Sequence, residues 1–159
     1  MWADARGRIY DCKTLTRVGD ERLADEICGI LVRLRVRPSK DSTGKPLVSN
    51  VVTTIKFTVP GTPVGDRIDR MAELPDVVID RPRPPGSRPE GSHKVRLAVE
   101  IGPEGAVVAC NGDKKAEKKL AEVACAGVAS RTFEQGLDKE GNRTSYVRAM
   151  EVGLAAMAQ

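Results

Sequence analysis

Four cysteines are the side chains with the clearest chemistry in this sequence, and they fall as two matched pairs. Cys12 and Cys28 stand sixteen positions apart, Cys110 and Cys125 fifteen. No C-x-x-C occurs, so the spacing does not suit a zinc knuckle or a thioredoxin-type redox site. One pair in each half, at corresponding positions, reads as one disulfide per half and hence as an oxidising compartment. The alternative is four reduced, half-buried thiols in a cytoplasmic protein. Other chemistry is thin. The one histidine, His93, sits in a Pro/Gly-rich segment and reads as solvated linker, which leaves Ser-His-Asp catalysis without a placed base. A thiol enzyme needs one low-pKa Cys beside a base. General acid–base work needs perturbed groups gathered in a pocket, whereas the acids here fall in turns and on helix faces. The expectation is a protein that is not an enzyme, with no metal and no cofactor.

The segments that carry the cysteines are themselves repeated. Residues 7–28 read GRIYDCKTLTRVGDERLADEIC, and residues 105–125 read GAVVACNGDKKAEKKLAEVAC. Each opens on Gly, reaches its first Cys five residues on, crosses a polar loop to a Leu (Leu23, Leu120) and ends at its second Cys. The second loop is one residue shorter. Beyond it the copies stay in step: Gly44 matches Gly141, and Phe57 matches Leu154. Two copies of roughly fifty residues indicate a duplicated domain, not a solenoid. The chain of 159 residues then divides into a first repeat (1–59), a Pro/Gly/Arg-rich linker (60–93) and a second repeat (94–159).

Within the second copy, residues 95–101 alternate as a half-buried strand. Residues 102–105 make a turn, and 106–110 are the return strand. Laid on the first copy, residues 4–7 fall on that turn and 1–3 fall inside the first strand. The chain thus begins mid-strand, which predicts a truncated chain or a misplaced start codon. In the return strands Tyr10 shares a face with Cys12, as Val108 does with Cys110. Asp20 is the expected N-cap of the first helix, whose stripe Leu23, Ile27, Ile30, Leu31 and Leu34 should face a core. Asp113 is the expected cap of the second, with the weaker stripe Leu120, Val123, Ala124, Gly127 and Val128. Pro38 stops the first helix. Residues 49–59 then alternate as a strand, and so do 144–155, where Arg148 interrupts the apolar face of Met150, Val152 and Leu154. Each repeat is therefore β-β-α-β. The fold class is α+β: two tandem two-layer domains, each an antiparallel sheet with one helix packed on it, the first lacking most of its first strand. In the linker, residues 81–89 are a polyproline-II-prone spacer, and 76–80 (DVVID) are a weak strand signal.

Bulk composition narrows the function classes. Aromatics make up 3% of the chain, so the small cores are aliphatic and staples matter. The net charge of +4 is spread over interleaved acids and bases, and Arg33, Arg35, Arg37 and Lys40 form the one basic cluster. A nucleic-acid surface calls for a basic stripe with stacking aromatics, so no nucleic-acid partner is expected. No run reaches the ~18–20 apolar residues of a membrane span, and no signal-peptide pattern opens the sequence.

Taken together these pieces resemble the C-terminal domain of TonB-type energy transducers. The matching pieces are a G-x-I-x-x-C hairpin strand (7–12), L-x-x-x-x-C on a helix (23–28), R-x-R-V-x-P at the helix end (33–38), D-x-x-G-K-P (41–46) and the alternating strand (49–59). The match covers 3–59 and 94–154. The second copy keeps Phe133 and residues 138–141 but loses the Pro after its helix. The resemblance is to a cysteine-bearing branch, in which each pair staples the return strand to the helix. It implies a periplasmic module with no chemistry of its own, its export signal upstream of Met1. A partner's extended segment would add beside the last strand, with main-chain hydrogen bonds for affinity and alternate side chains for selectivity. Carried over, the docking edges are Ser49, Val51, Thr53, Ile55 and Phe57 in one repeat and Tyr146, Arg148, Met150, Val152 and Leu154 in the other. The partner class is a protein or peptide segment such as that of a TonB-dependent outer-membrane receptor. Family members also carry a membrane anchor that this sequence does not show, so energy transduction is not expected of this chain alone. The competing reading is structural: the edges pair with each other or with another copy, giving a homodimer and no peptide site.

Overall fold

The computed structural model describes residues 1–16, 21–59, 61–69, 75–81, 93–114 and 116–156. The expected cap Asp20 and nearly all of the proline-rich spacer lie outside the described residues. The fold is mixed α+β, with few helices and one large, mostly antiparallel sheet. The first repeat supplies β1 (Trp2–Ala3), β2 (Ile9–Asp11), α1 (Glu21–Leu31), β3 (Ser39–Lys40) and β4 (Pro46–Val51). The segment between the copies adds α2 (Pro63–Asp69) and β5 (Val77–Arg81), so the weak DVVID signal is a strand. The second repeat supplies β6 (His93–Ile101), β7 (Val107–Gly112), α3 (Lys118–Ala129), β8 (Gly136–Leu137), β9 (Arg143–Thr144) and β10 (Tyr146–Ala156). His93, expected in solvated linker, opens β6. The sheet order is β2-β1-β4-β10-β6-β7, with β3 added to β4 and β5 to β10.

Several local hydrogen bonds recur at corresponding positions of the two copies. In each hairpin the ladder slips at the same place, between Trp2 and Ala3 in one copy and between Glu100 and Ile101 in the other, the signature of a β-bulge. Each hairpin turn then ends on a Gly at positive φ, Gly7 or Gly105, a conformation that disfavours any Cβ. The carbonyl of that Gly accepts a bond from the strap after the helix, from Val36 N–H in one copy and Phe133 N–H in the other. The loop before the last strand repeats too. The Asp41 carboxylate accepts the backbone N–H of Thr43 and Lys45, and Asp138 those of Glu140 and Asn142. Both carboxyls are held below the usual range, Asp41 chiefly by the Thr43 hydroxyl and Asp138 chiefly by the Asn142 N–H.

The packing, by contrast, is lopsided. The core lies between α3 and the second repeat's face of the sheet: Val95, Leu97, Val99 and Ile101 of β6, Tyr146, Met150, Val152 and Leu154 of β10, and Ala121, Ala124 and Val128 of α3. Trp2 and Val48 of the first repeat and Ile79 of β5 pack at its margin, Trp2 edge-on to Tyr146 with ring centroids 4.8 Å apart. Small residues let α3 approach closely. A Cβ placed on Gly127 would meet three carbons of the Ile79 side chain. Gly127→Ala is therefore expected to destabilise by about 1–3 kcal/mol through overpacking. Ile79→Ala in the same chain should recover most of that loss in a denaturant titration, because it removes the clashing atoms.

The first helix does not repeat this arrangement. The stripe Leu23, Ile27, Ile30, Leu31, Leu34 was expected to face a core, yet no described side chain of α1 is buried, and Leu23, Ile30 and Leu34 are exposed. The helix also ends at Leu31, well before Pro38. The physical reason is that β1 spans two residues where its counterpart β6 spans nine. A helix with no sheet beneath it has nothing on which to bury its stripe. Two smaller expectations also change. Asp113 accepts the N–H of Ala116, one turn ahead of the helix, whose N-cap is Glu117 without a side-chain bond. The strand expected over 49–59 is β4, which begins earlier and ends at Val51; residues 52–59 lie outside every strand.

The two repeats meet along β4 and β10, which run parallel. Tyr146 is the counterpart of Ser49, yet it pairs with Val48. Neighbours in a parallel ladder point to the same face and successive residues alternate, so counterparts in the two repeats point to opposite faces. Burial agrees. Ala3, Ile9 and Val147 are buried but stand outside the cluster under α3. Tyr10 ties the repeats together a second time. Its hydroxyl donates to the Leu137 carbonyl oxygen, and burial, helped by the charge of Asp138, pushes its pKa up to about 12.

Candidate functional site

The functional positions expected from sequence are the cysteine staples and the two docking edges. Cys12 is bonded to Cys28 and Cys110 to Cys125, with Cα–Cα separations of 5.5 and 5.7 Å. Cys12 follows directly on β2 and Cys110 lies within β7, so each bond ties the return strand of its copy to the helix. Two intact disulfides indicate an oxidising, extracytoplasmic environment. Among the described residues, no helix is long and apolar enough to cross a membrane, and no group of three or more His, Cys, Asp or Glu gathers as metal ligands.

The edge expected over 144–154 is paired along its length. One side of β10 carries β6, from Tyr146↔Ile101 to Leu154↔His93. The other side carries β4 along residues 146–149 and β5 along 152–156. Between those two strands Asp76 completes the edge: its N–H donates to the Glu151 carbonyl at 2.8 Å, and its carboxylate accepts the Glu151 N–H at 2.7 Å. Arg148 reaches the same carboxylate at 3.5 Å, which is why a cation interrupts the apolar face there. Of the expected contact residues, Tyr146, Met150, Val152 and Leu154 lie in the core. Sequence reasoning missed the role of Asp76. The DVVID pattern that contains it was legible only as a strand without a partner.

The edge expected over 49–57 divides at Val51. Up to there β4 is paired on both sides, with Ser49 and Asn50 opposite Ala3 and Trp2 and with β10 beyond. Val51 exchanges bonds with Met1, donating its N–H to the Met1 carbonyl and accepting from the Met1 amine. Burial lowers the pKa of that amine, which the charge of Asp11 partly offsets. Past Val51 the chain leaves the sheet. An open cleft of about 340 Å³ forms at the fork, lined by Val52, Thr53, Thr54, Asp76, Met150 and Glu151. The next residues carry their apolar side chains into solvent. Ile55 is 41% exposed and Phe57 50%, whereas their counterparts Val152 and Leu154 are 0% exposed. Thr53, Ile55 and Phe57 are thus the expected contact residues that the fold leaves accessible.

No family model, no curated protein and no solved structure matches this chain. The site is defined by its own geometry. In the second repeat β6 lies beside residues 149–154 and fills the space under α3 with Val95 and Leu97. In the first repeat the corresponding place, beside residues 52–57, holds no strand among the described residues. What the arrangement offers chemically is an exposed apolar strip, Ile55 and Phe57, on a stretch that pairs with no strand among the described residues.

Proposed function

We propose that this protein is a non-enzymatic, extracytoplasmic binding module of two TonB-like repeats, which docks an extended polypeptide segment by strand addition beside residues 52–57. The observation that carries this reading is the contrast between counterparts, Ile55 and Phe57 in solvent against Val152 and Leu154 in the core. The second repeat supplies the template for an occupant: an antiparallel strand with apolar residues at alternate positions, as at Val95 and Leu97. Backbone pairing gives such a segment affinity, and pockets for alternate side chains give it selectivity. On the TonB-type resemblance, the module would work in the periplasm and the extended segment of an outer-membrane receptor would be one partner class. The edge which that resemblance assigns to 144–154 is taken by β4, Asp76 and β5, so the docking function falls to the first repeat.

A peptide with the sequence of residues 93–101, HKVRLAVEI, is the direct probe. Added to the protein at a dilution where it is monomeric, it should shift backbone NMR resonances over residues 52–59 and leave α3 unchanged. A control peptide with Asp at the positions of Val95 and Leu97 should have no effect. Shifts confined to β7 or β5, or none at all, would sink the reading.

A further inference from the structure

We infer that the segment docked beside residues 52–57 is the same segment of a second copy of this chain, so that two molecules pair antiparallel across a two-fold axis at Ile55. The inference rests on the strand-addition site described above and names its occupant. Register is the argument. In the second repeat β6 sets Val95 opposite Val152 and Leu97 opposite Met150. The first-repeat counterparts of Val152 and Met150 are Ile55 and Thr53. With the axis at Ile55, the second copy brings its own Ile55 to the place of Val95 and its Phe57 to the place of Leu97. Both are apolar and near the required size, and a two-fold axis fills both sites at once.

The other face of the pair agrees. Lys56 of one copy falls opposite Thr54 of the other, so no like charges oppose each other. The pairing also has a defined end. Met1 already occupies the position opposite Val51 through its amine and carbonyl, so the added strand turns away after residue 58, where Met1 begins. Because the axis stands perpendicular to the added strands, α1 of both copies lies on one face.

Sedimentation over a dilution series, together with cysteine cross-linking, tests the pairing. The protein should be a dimer that dissociates on dilution. Ile55→Asp should keep the circular dichroism of the folded chain and raise the dimer dissociation constant by about 100-fold or more, since it sets two carboxylates against each other in an apolar strip. Ile55→Cys should oxidise to a covalent dimer, because residues directly opposite in an antiparallel pair stand ~4.5–5.5 Å apart at Cα, within disulfide reach. Thr54→Cys, facing Lys56, should not. A protein that stays monomeric at every concentration yet takes up the 93–101 peptide would overturn the second copy as occupant and leave the docking site standing. A monomer indifferent to the peptide would overturn both. A dimer that Ile55→Asp leaves intact would assign the contact to another surface.

Discussion

Leu154→Ala is expected to cost about 2–5 kcal/mol of folding stability, as large-to-small changes in a packed core do, while Phe57→Ala, its counterpart in the other repeat, should cost below about 0.5 kcal/mol. The two residues hold the same place in the duplicated sequence and differ only in what surrounds them. Leu154 sits opposite His93 in the ladder, inside the cluster of β6, β10 and α3. Phe57 stands half in water, past the point where β4 ends. Urea unfolding of both variants, at concentrations low enough to keep the chain monomeric, reads the difference directly. Equal losses would mean that the first repeat carries a core of its own.

A second large asymmetry is expected between the disulfides. Loops of this length gain about 3 kcal/mol from closure in the chain-entropy account, so the two bonds would contribute alike if the repeats were packed alike. Cys110→Ser with Cys125→Ser should lower global stability by roughly that amount, because α3 carries Ala121, Ala124 and Val128 into the common core. Cys12→Ser with Cys28→Ser should change the global transition little and instead release α1. That helix has 11 residues, below the ~12–15 at which an isolated helix holds in water, and no described side chain of it is buried. Amide hydrogen exchange separates the outcomes. Protection across residues 21–31 should disappear in the first-repeat variant while that of β6 and β10 persists. Loss of protection throughout would show that α1 supports the shared sheet.

The turns and the staples were legible in the sequence because they rest on local signals. The glycines at 7 and 105, the aspartates at 41 and 138 and the cysteine spacings each fix a turn or a staple, and all sit where the repeat places them. The burial of the two helices was not legible. The stripe of α1 is the more hydrophobic in pattern, with Ile27 and Ile30 where α3 has Ala124 and Gly127. Periodicity therefore favours the wrong helix as the better packed. Burial depends on the strand opposite, which is a long-range fact. The same holds for β10. Its alternation announces a strand with one buried face but says nothing of β4, Asp76 and β5 closing its edge, since parallel pairing between distant segments leaves no mark in either one.

The one-residue slip between β4 and β10 has a consequence for any binding partner. Duplication ordinarily gives a protein two like surfaces side by side, open to a bivalent ligand lying flat across them. Here the slip turns the repeats back to back, so the outward residue of one copy is the inward residue of the other. A flat ligand can therefore read only one copy at a time, and a ligand that reads both must wrap around the rim of the sheet. One copy thus forms the packed scaffold and the other presents the accessible strip.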